Sequence, residues 1–167
     1  MLCPNECTHS TRSISSGSLL ALSWPKHTQP LGGGSDAGSG DGIHFAVTDS
    51  PTGRLMGTVG LKKTDWRARV SEVGYWISHW ARGNGIAAEA TQALAWWLLA
   101  DQQFQRLELR AATENTASRK VALKVGFHHE GILRNAGFVH TGRVDLVLFS
   151  LLPDDSTTTG STTAGTR

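Results

Sequence analysis

Arg82, Gly83 and Gly85 stand directly ahead of an alanine-rich helical pattern in "HWARGNGIAAEATQALAWWLL", residues 79–99. A glycine-bearing turn leading from a strand into a helix exposes several backbone N–H groups at the positive end of the helix dipole, and the chemistry this suits is anion binding, most simply of phosphate. Side chains larger than hydrogen at Gly83 and Gly85 would keep a phosphate away from the backbone. A tight turn without a ligand is the competing reading of the same residues. Histidine is the side chain that changes charge near neutrality, so His128, His129 and His140 are candidates to line a site, although adjacent histidines on a strand point to opposite faces. Cys3 and Cys7, with His9 nearby, provide too few ligands for a tetrahedral structural zinc, and no metal is expected.

The elements that must position the turn follow from periodicity. "IHFAVTD" (43–49) and "RLMGTVGL" (54–61) read as strands joined through the turn residues of "SPTG". "VSEVGYWI" (70–77) is a third strand that runs almost straight into the glycine turn. From Ile86 the apolar positions Ile86, Ala90, Ala93, Trp97 and Ala100 recur at steps of four and three, the stripe of a helix packed on a sheet. "RLELRAA" (106–112) alternates as a strand, and Ala117, Val121 and Val125 mark a second helix that Gly126 is placed to end. "FHHEGIL" (127–133) and "RVDLVLFSLL" (143–152) read as two closing strands connected by the loop "RNAGFVHTG". The order β-β-β-α-β-α-β-β describes an α/β domain over residues 43–152. Residues 1–42, which include "LGGGSDAGSGDG", and the tail 153–167 are rich in Ser, Gly and Thr, and both are expected to be mostly disordered.

Composition narrows the function classes. A chain of 167 residues suits one domain. A net charge of +2 with scattered lysine and arginine gives no backbone-tracking basic surface, so nucleic acid is not an expected partner. The longest apolar run, Ala93 to Ala100, falls far short of the roughly 18–20 residues of a membrane span. "SLLALSW" lacks the basic leader and cleavage site of a secretion signal, which leaves a cytoplasmic protein as the expectation. "GNGIAA" fits the loose dinucleotide pattern of a nicotinamide-dependent oxidoreductase. That motif normally opens the first βαβ unit of a larger sheet, whereas here three strand-like runs precede it. "GLKKT" (60–64) lacks the glycine spacing of a Walker loop.

A third phosphate motif fits. Arg82, Gly85 and Ala87 match the [QR]-x-x-G-x-[GA] signature of the GNAT superfamily of N-acetyltransferases, and about 28 residues downstream of Ala87 "NTASRKVALKVGF" resembles its N-x-x-[AS]…G-F segment, with Asn115, Ser118, Gly126 and Phe127 in register. Together with "EVGYWI" and "EGILR…GRVDLVLFSLL", the chain from 43 to 152 resembles the ribosomal-protein alanine N-acetyltransferases of the RimJ/RimL type. The resemblance implies a mixed, mainly antiparallel sheet with helices on both faces.

It further implies acetyl-coenzyme A as cosubstrate, lying where the strands ending at Ile77 and Ala111 splay apart, with its pantetheine pairing to backbone near Ile77. Gly83, Asn84, Gly85, Ile86 and Ala87 would cradle the pyrophosphate, Arg82 would add charge, Asn115 and Ser118 would flank the pantetheine, and Lys120 or Lys124 would reach the nucleotide phosphates. The reaction implied is direct attack of a primary amine, either a protein N-terminus or a small amine, on the thioester. Many family members use a tyrosine to protonate the departing thiolate, but Ala122 occupies that place here; the resemblance gives the role to Ser118, for which a helix cap is the competing role. Glu72 is the candidate base, with a solvent-facing strand carboxylate as its alternative. A degenerate domain that binds acyl-coenzyme A without turnover is the other function class. The family branch begins with a strand and two helices that wall the acceptor site, and residues 1–42 resemble none of it. A monomer or a homodimer is expected.

Overall fold

The computed structural model describes residues 20–23 and 43–155. Seven strands form one sheet: β1 (Leu20–Ser23), β2 (His44–Asp49), β3 (Leu55–Asp65), β4 (Val70–Ile77), β5 (Arg106–Ala112), β6 (His128–Val139) and β7 (Gly142–Leu151). Their spatial order is β1-β2-β3-β4-β5-β7-β6. Helix α1 (Ile86–Trp96) connects β4 to β5 and runs on into a turn of wider helix over Trp97–Asp101; α2 (Thr116–Val125) connects β5 to β6. All neighbours pair antiparallel except β4 and β5. The expected class and strand order hold over residues 43–152.

Local chemistry explains the element ends. The β3–β4 connection is held by Asp65, whose carboxylate accepts the N–H groups of Arg67 and Ala68 at 2.9 and 2.8 Å. Gly126, at φ +102°, ends α2 in the left-handed conformation that favours glycine.

Some expectations change in detail. Within residues 1–42, Leu20–Ser23 forms a strand antiparallel to β2; the rest of that segment, including Cys3, Cys7 and His9, lies outside the described residues, as does the tail beyond Asp155. The loop expected at 134–142 is largely strand. There β6 continues to Val139 across a register irregularity, where Asn135 takes φ +56° and its N–H donates to Asp145 Oδ1 at 2.7 Å, so the irregular residues keep a partner. The buried residues of α1 are Ala88, Ala90, Thr91, Leu94 and Ala95, continued by Leu98 and Leu99 in the wider turn; of the stripe read off the sequence, Ile86 and Trp97 pack partly buried against this core and Ala100 is exposed. The polar Thr91 hides the buried face from a hydrophobicity pattern. On α2 the buried residue is Ala122, while Ala117 is exposed.

Among the described residues, the two helices share a face of the sheet. Both crossovers, β4-α1-β5 and β5-α2-β6, step the same way along the sheet between parallel strands, so with one handedness they lie on one face. Buried residues of α1 and Ala122 of α2 join a single core with Leu107, Leu109 and Ala111 of β5 and with Val147, Phe149 and Leu151 of β7. The alternate residues of β5, Arg106, Glu108 and Arg110, turn to the other face, which carries no helix among the described residues.

Candidate active site

Strands β4 and β5 pair over only three residues, Val70↔Arg106, Ser71↔Leu107 and Glu72↔Glu108. Beyond Glu72, β4 stays paired with β3 as far as Ile77, and beyond Glu108, β5 stays paired with β7 as far as Ala112. A gap therefore opens within the sheet towards the carboxyl ends of β4 and β5, as the resemblance implied. Ser78 N–H donates to the Met56 carbonyl at 2.8 Å, so by the alternation of a strand the backbone groups of Ile77 and Tyr75 turn away from β3, towards the gap. Arg82 Nε donates to the Ile77 carbonyl at 3.1 Å. The expected charge of Arg82 is thus anchored to the strand end, and one polar group of Ile77 is already occupied.

Both helices start at the mouth of this gap. Ahead of α1, Gly83 and Gly85 take φ +83° and +78°, the left-handed region where an L side chain costs about 1–2 kcal/mol. A Cβ at Gly83 would meet nothing within 4 Å, so the space over the turn is open. The first satisfied donor of the helix is Glu89 N–H, which bonds the Gly85 carbonyl at 3.1 Å, and no side chain caps the N-terminus. The N–H groups of Ile86, Ala87 and Ala88 have no acceptor among the described residues. Asn84 braces the turn, its amide donating to the Arg82 carbonyl at 3.3 Å.

A cavity of about 270 Å³ adjoins the turn, lined by Asn84, Gly85, Ala88, Glu89, Gln92, Lys124 and Val125. The lysine that reaches it is Lys124, whose Nζ would lie 3.5 Å from a Cβ on Gly85. Lys120, named with it from the sequence, does not line the cavity. Lys124 sits two turns into α2, on the side that faces α1, a placement that sequence spacing leaves open until the helix pair is docked.

At α2 the cap belongs to Asn115, whose Oδ1 accepts Ser118 N–H at 3.0 Å. Ser118 is therefore not the cap, and its hydroxyl meets Tyr75, whose phenolic O–H donates to Ser118 Oγ at 3.0 Å from across the gap. Burial pushes the Tyr75 phenol above its ordinary pKa, more than the contact with Ser118 lowers it. Tyr75 carries no role in the sequence reading; its alternation with Val73 and Ile77 was the available signal, because it puts Tyr75 on the helix-covered face.

Glu72 lies where the strands part, on the opposite face from Tyr75, and is 9% exposed. Its Oε1 is 3.7 Å from Lys62 Nζ and its Oε2 is 3.6 Å from Arg110 Nε, so it is a buried, ion-paired carboxylate, not a solvated one. A second recess lies on this face, lined in part by Glu72, Glu108, Arg110 and Asp65. Burial opposes ionisation of Glu108, but hydrogen bonds from Arg110 and Arg106 outweigh it and hold the carboxyl below its usual range. The histidines lie elsewhere: His128 faces Asp155 at 3.4 Å, His129 packs edge-on against Phe149, and His140 sits in the β6–β7 turn.

The chain shares this architecture with known proteins. It is 29% identical over 100 residues to the ribosomal-protein-serine acetyltransferase of Escherichia coli (strain K12), covering 60% of this chain and 56% of that protein. It is 31% identical over 115 residues to an uncharacterized N-acetyltransferase, p20, of Bacillus licheniformis, covering 68% and 64%. The crystal structure of the ribosomal-protein-S5-alanine acetyltransferase of Vibrio fischeri superposes with a TM-score of 0.64 at 26% identity, over 68% of this chain and 63% of that one. The chain thus spans between about half and two thirds of the length of the curated relatives it matches. A family model described as the acetyltransferase (GNAT) domain matches residues 24–128, and with the splayed strands and the glycine turn before α1 this places the chain in the GNAT acetyltransferase family.

Proposed function

We propose that the chain transfers the acetyl group of acetyl-coenzyme A to a primary amine, and that the amine is a protein N-terminus. The observation that carries the reading is the gap between β4 and β5, which opens after Glu72 and Glu108 and ends beneath an uncapped, glycine-formed helix start. The relatives named for serine and alanine acetylation of ribosomal proteins favour the N-terminal amine over a small one.

The residues present fit the cosubstrate. Free N–H groups at Ile86 to Ala88 and the Lys124 ammonium suit a pyrophosphate, and the open space over Gly83 leaves room for it. Acetyl-coenzyme A supplies a thioester whose carbonyl carbon accepts the amine nitrogen, the C–S bond breaking as the C–N bond forms. Ser118 Oγ–H then gives its proton to the departing sulfur and takes one back from solvent as the products leave. Glu72 takes the proton that the amine gives up: it is the carboxylate at the narrow end of the gap on the face without a described helix, while the opposite face is closed by α1, α2 and their core.

The test combines binding and turnover. Calorimetry with coenzyme A should show binding that weakens about tenfold or more in Gly85→Glu, which brings a negative charge to the phosphate cradle. Thiol release from acetyl-coenzyme A should rise on adding a peptide with a free N-terminal serine or alanine and not on adding the same peptide blocked. Binding unchanged in Gly85→Glu removes the site, and binding without thiol release for any amine removes the enzymatic reading.

A further inference from the structure

We propose that Tyr75 is a positioning residue for acetyl transfer: by donating its phenolic O–H to Ser118 Oγ it directs the serine's own hydrogen into the gap between β4 and β5. The inference rests on the reading that Ser118 protonates the leaving sulfur.

A serine hydroxyl has one hydrogen and two lone pairs and rotates freely unless something engages it. Near a helix start its commonest partner is a backbone carbonyl one turn back, and a hydrogen spent there is lost to a ligand. Ser118 is held at two points. Asn115 Oδ1 takes its N–H at 3.0 Å, which fixes the backbone, and Tyr75 occupies one lone pair of Oγ at 3.0 Å, which fixes the rotor from the opposite wall of the gap. The hydroxyl hydrogen meets no acceptor among the described residues. Tyr75 can hold this orientation because its ring packs against both apolar clusters, the main core and the small one formed by Met56, Ile77 and Ala81. Burial also keeps the phenol in its protonated, donating form, since desolvation is the larger influence on it.

Tyr75 is the single tyrosine of the chain, so its ionisation can be read directly from the near-ultraviolet tyrosinate band. Removing the contact with Ser118→Ala should move that titration to higher pH, because the hydroxyl that favours the phenolate is gone. An unmoved titration overturns the inference without any activity being measured. In turnover, Tyr75→Phe, which deletes one oxygen, should lower kcat about tenfold with KM for acetyl-coenzyme A within about twofold. The double variant Tyr75→Phe, Ser118→Ala should be no slower than Ser118→Ala alone, as expected of two groups acting as one unit. Full kcat in Tyr75→Phe beside a collapsed Ser118→Ala, or independent losses that multiply in the double variant, overturn the inference and leave the function standing. Full turnover in Ser118→Ala removes the donor role of Ser118, and the inference with it, while acetyl transfer itself stands.

Discussion

At the scale of single residues, the two roles that sequence left open for Ser118 fall to different side chains. Because Asn115 carries the cap, Asn115→Ala should cost about 1 kcal/mol and lower the melting temperature, whereas Ser118→Ala should leave it nearly unchanged. Thermal unfolding of the two variants checks this, and a large loss in Ser118→Ala would return the capping role to the serine. In turnover the order reverses: Ser118→Ala should lower kcat on the order of a hundredfold, the usual effect of losing one positioned proton donor, while KM for acetyl-coenzyme A stays within about threefold. Glu72 poses a sharper question, since Lys62 and Arg110 flank both of its oxygens. As the proton acceptor, Glu72→Gln should lower kcat in protein that stays folded, with KM for acetyl-coenzyme A little changed. As an ion-pair anchor alone, it would lower stability and leave the folded fraction active.

At the scale of elements, the turn before α1 combines backbone strain with charge, and the two can be separated. Gly83→Ala and Gly85→Ala place a Cβ on residues at φ +83° and +78°, so each should lower stability by about 1–2 kcal/mol in ligand-free protein. Gly85→Glu carries the same strain and adds a negative charge. It should therefore unfold at the temperature of Gly85→Ala, within a few degrees, yet bind coenzyme A more weakly. Denaturation and calorimetry on the three variants check the separation, and equal affinity in Gly85→Ala and Gly85→Glu would mean that the turn does not hold phosphate. Lys124→Ala should weaken binding where Lys120→Ala does not, because only Lys124 reaches the cavity beside Gly85.

At the scale of the whole molecule, the two faces of the sheet divide the work of stability. One is an apolar core under α1 and α2; the other carries a ladder of charges in which Arg106 bridges Glu108 and Glu130 at 3.0 Å and Arg110 meets Glu108 at 2.9 Å. Hydrogen bonds from Ser150 and Arg106 hold Glu130 below the ordinary glutamate value, and for Glu108 the bonds from Arg110 and Arg106 outweigh burial in the same direction. A carboxyl whose folded pKa is depressed adds stability above its unfolded value, and that stability is lost as pH falls through the folded one. Stability should then be flat around neutrality and decline once pH drops below the ordinary glutamate pKa of 4.5. Glu108→Gln should be less stable than wild type at neutral pH and should lose less on acidification. Denaturant titrations at neutral and acid pH check this, and parallel acid losses in the two proteins would exclude Glu108 as a source.

Strand β4 and the turn after it were legible in the sequence, to the residue for Val70–Ile77, because β-branched and aromatic side chains, two glycines and an alanine-rich run are local signals that need no partner. The order of elements and the match of Arg82, Gly85, Ala87, Asn115 and Ser118 to a family pattern were legible for the same reason. Contacts between elements distant along the chain were not. The pairing of Tyr75 with Ser118, 43 residues away, depends on how α2 docks against β4, and the choice of Lys124 over Lys120 depends on which side of α2 faces α1. The continuation of β6 through Asn135 depends on a carboxylate ten residues on, Asp145. The placement of both helices on one face follows from two crossovers of the same sense, a property of sheet order that no window of sequence contains. Local composition determined which elements form and where the anion turn sits; the tertiary structure alone decided which side chains meet across the gap, because those meetings are set by the docking of elements and not by spacing along the chain.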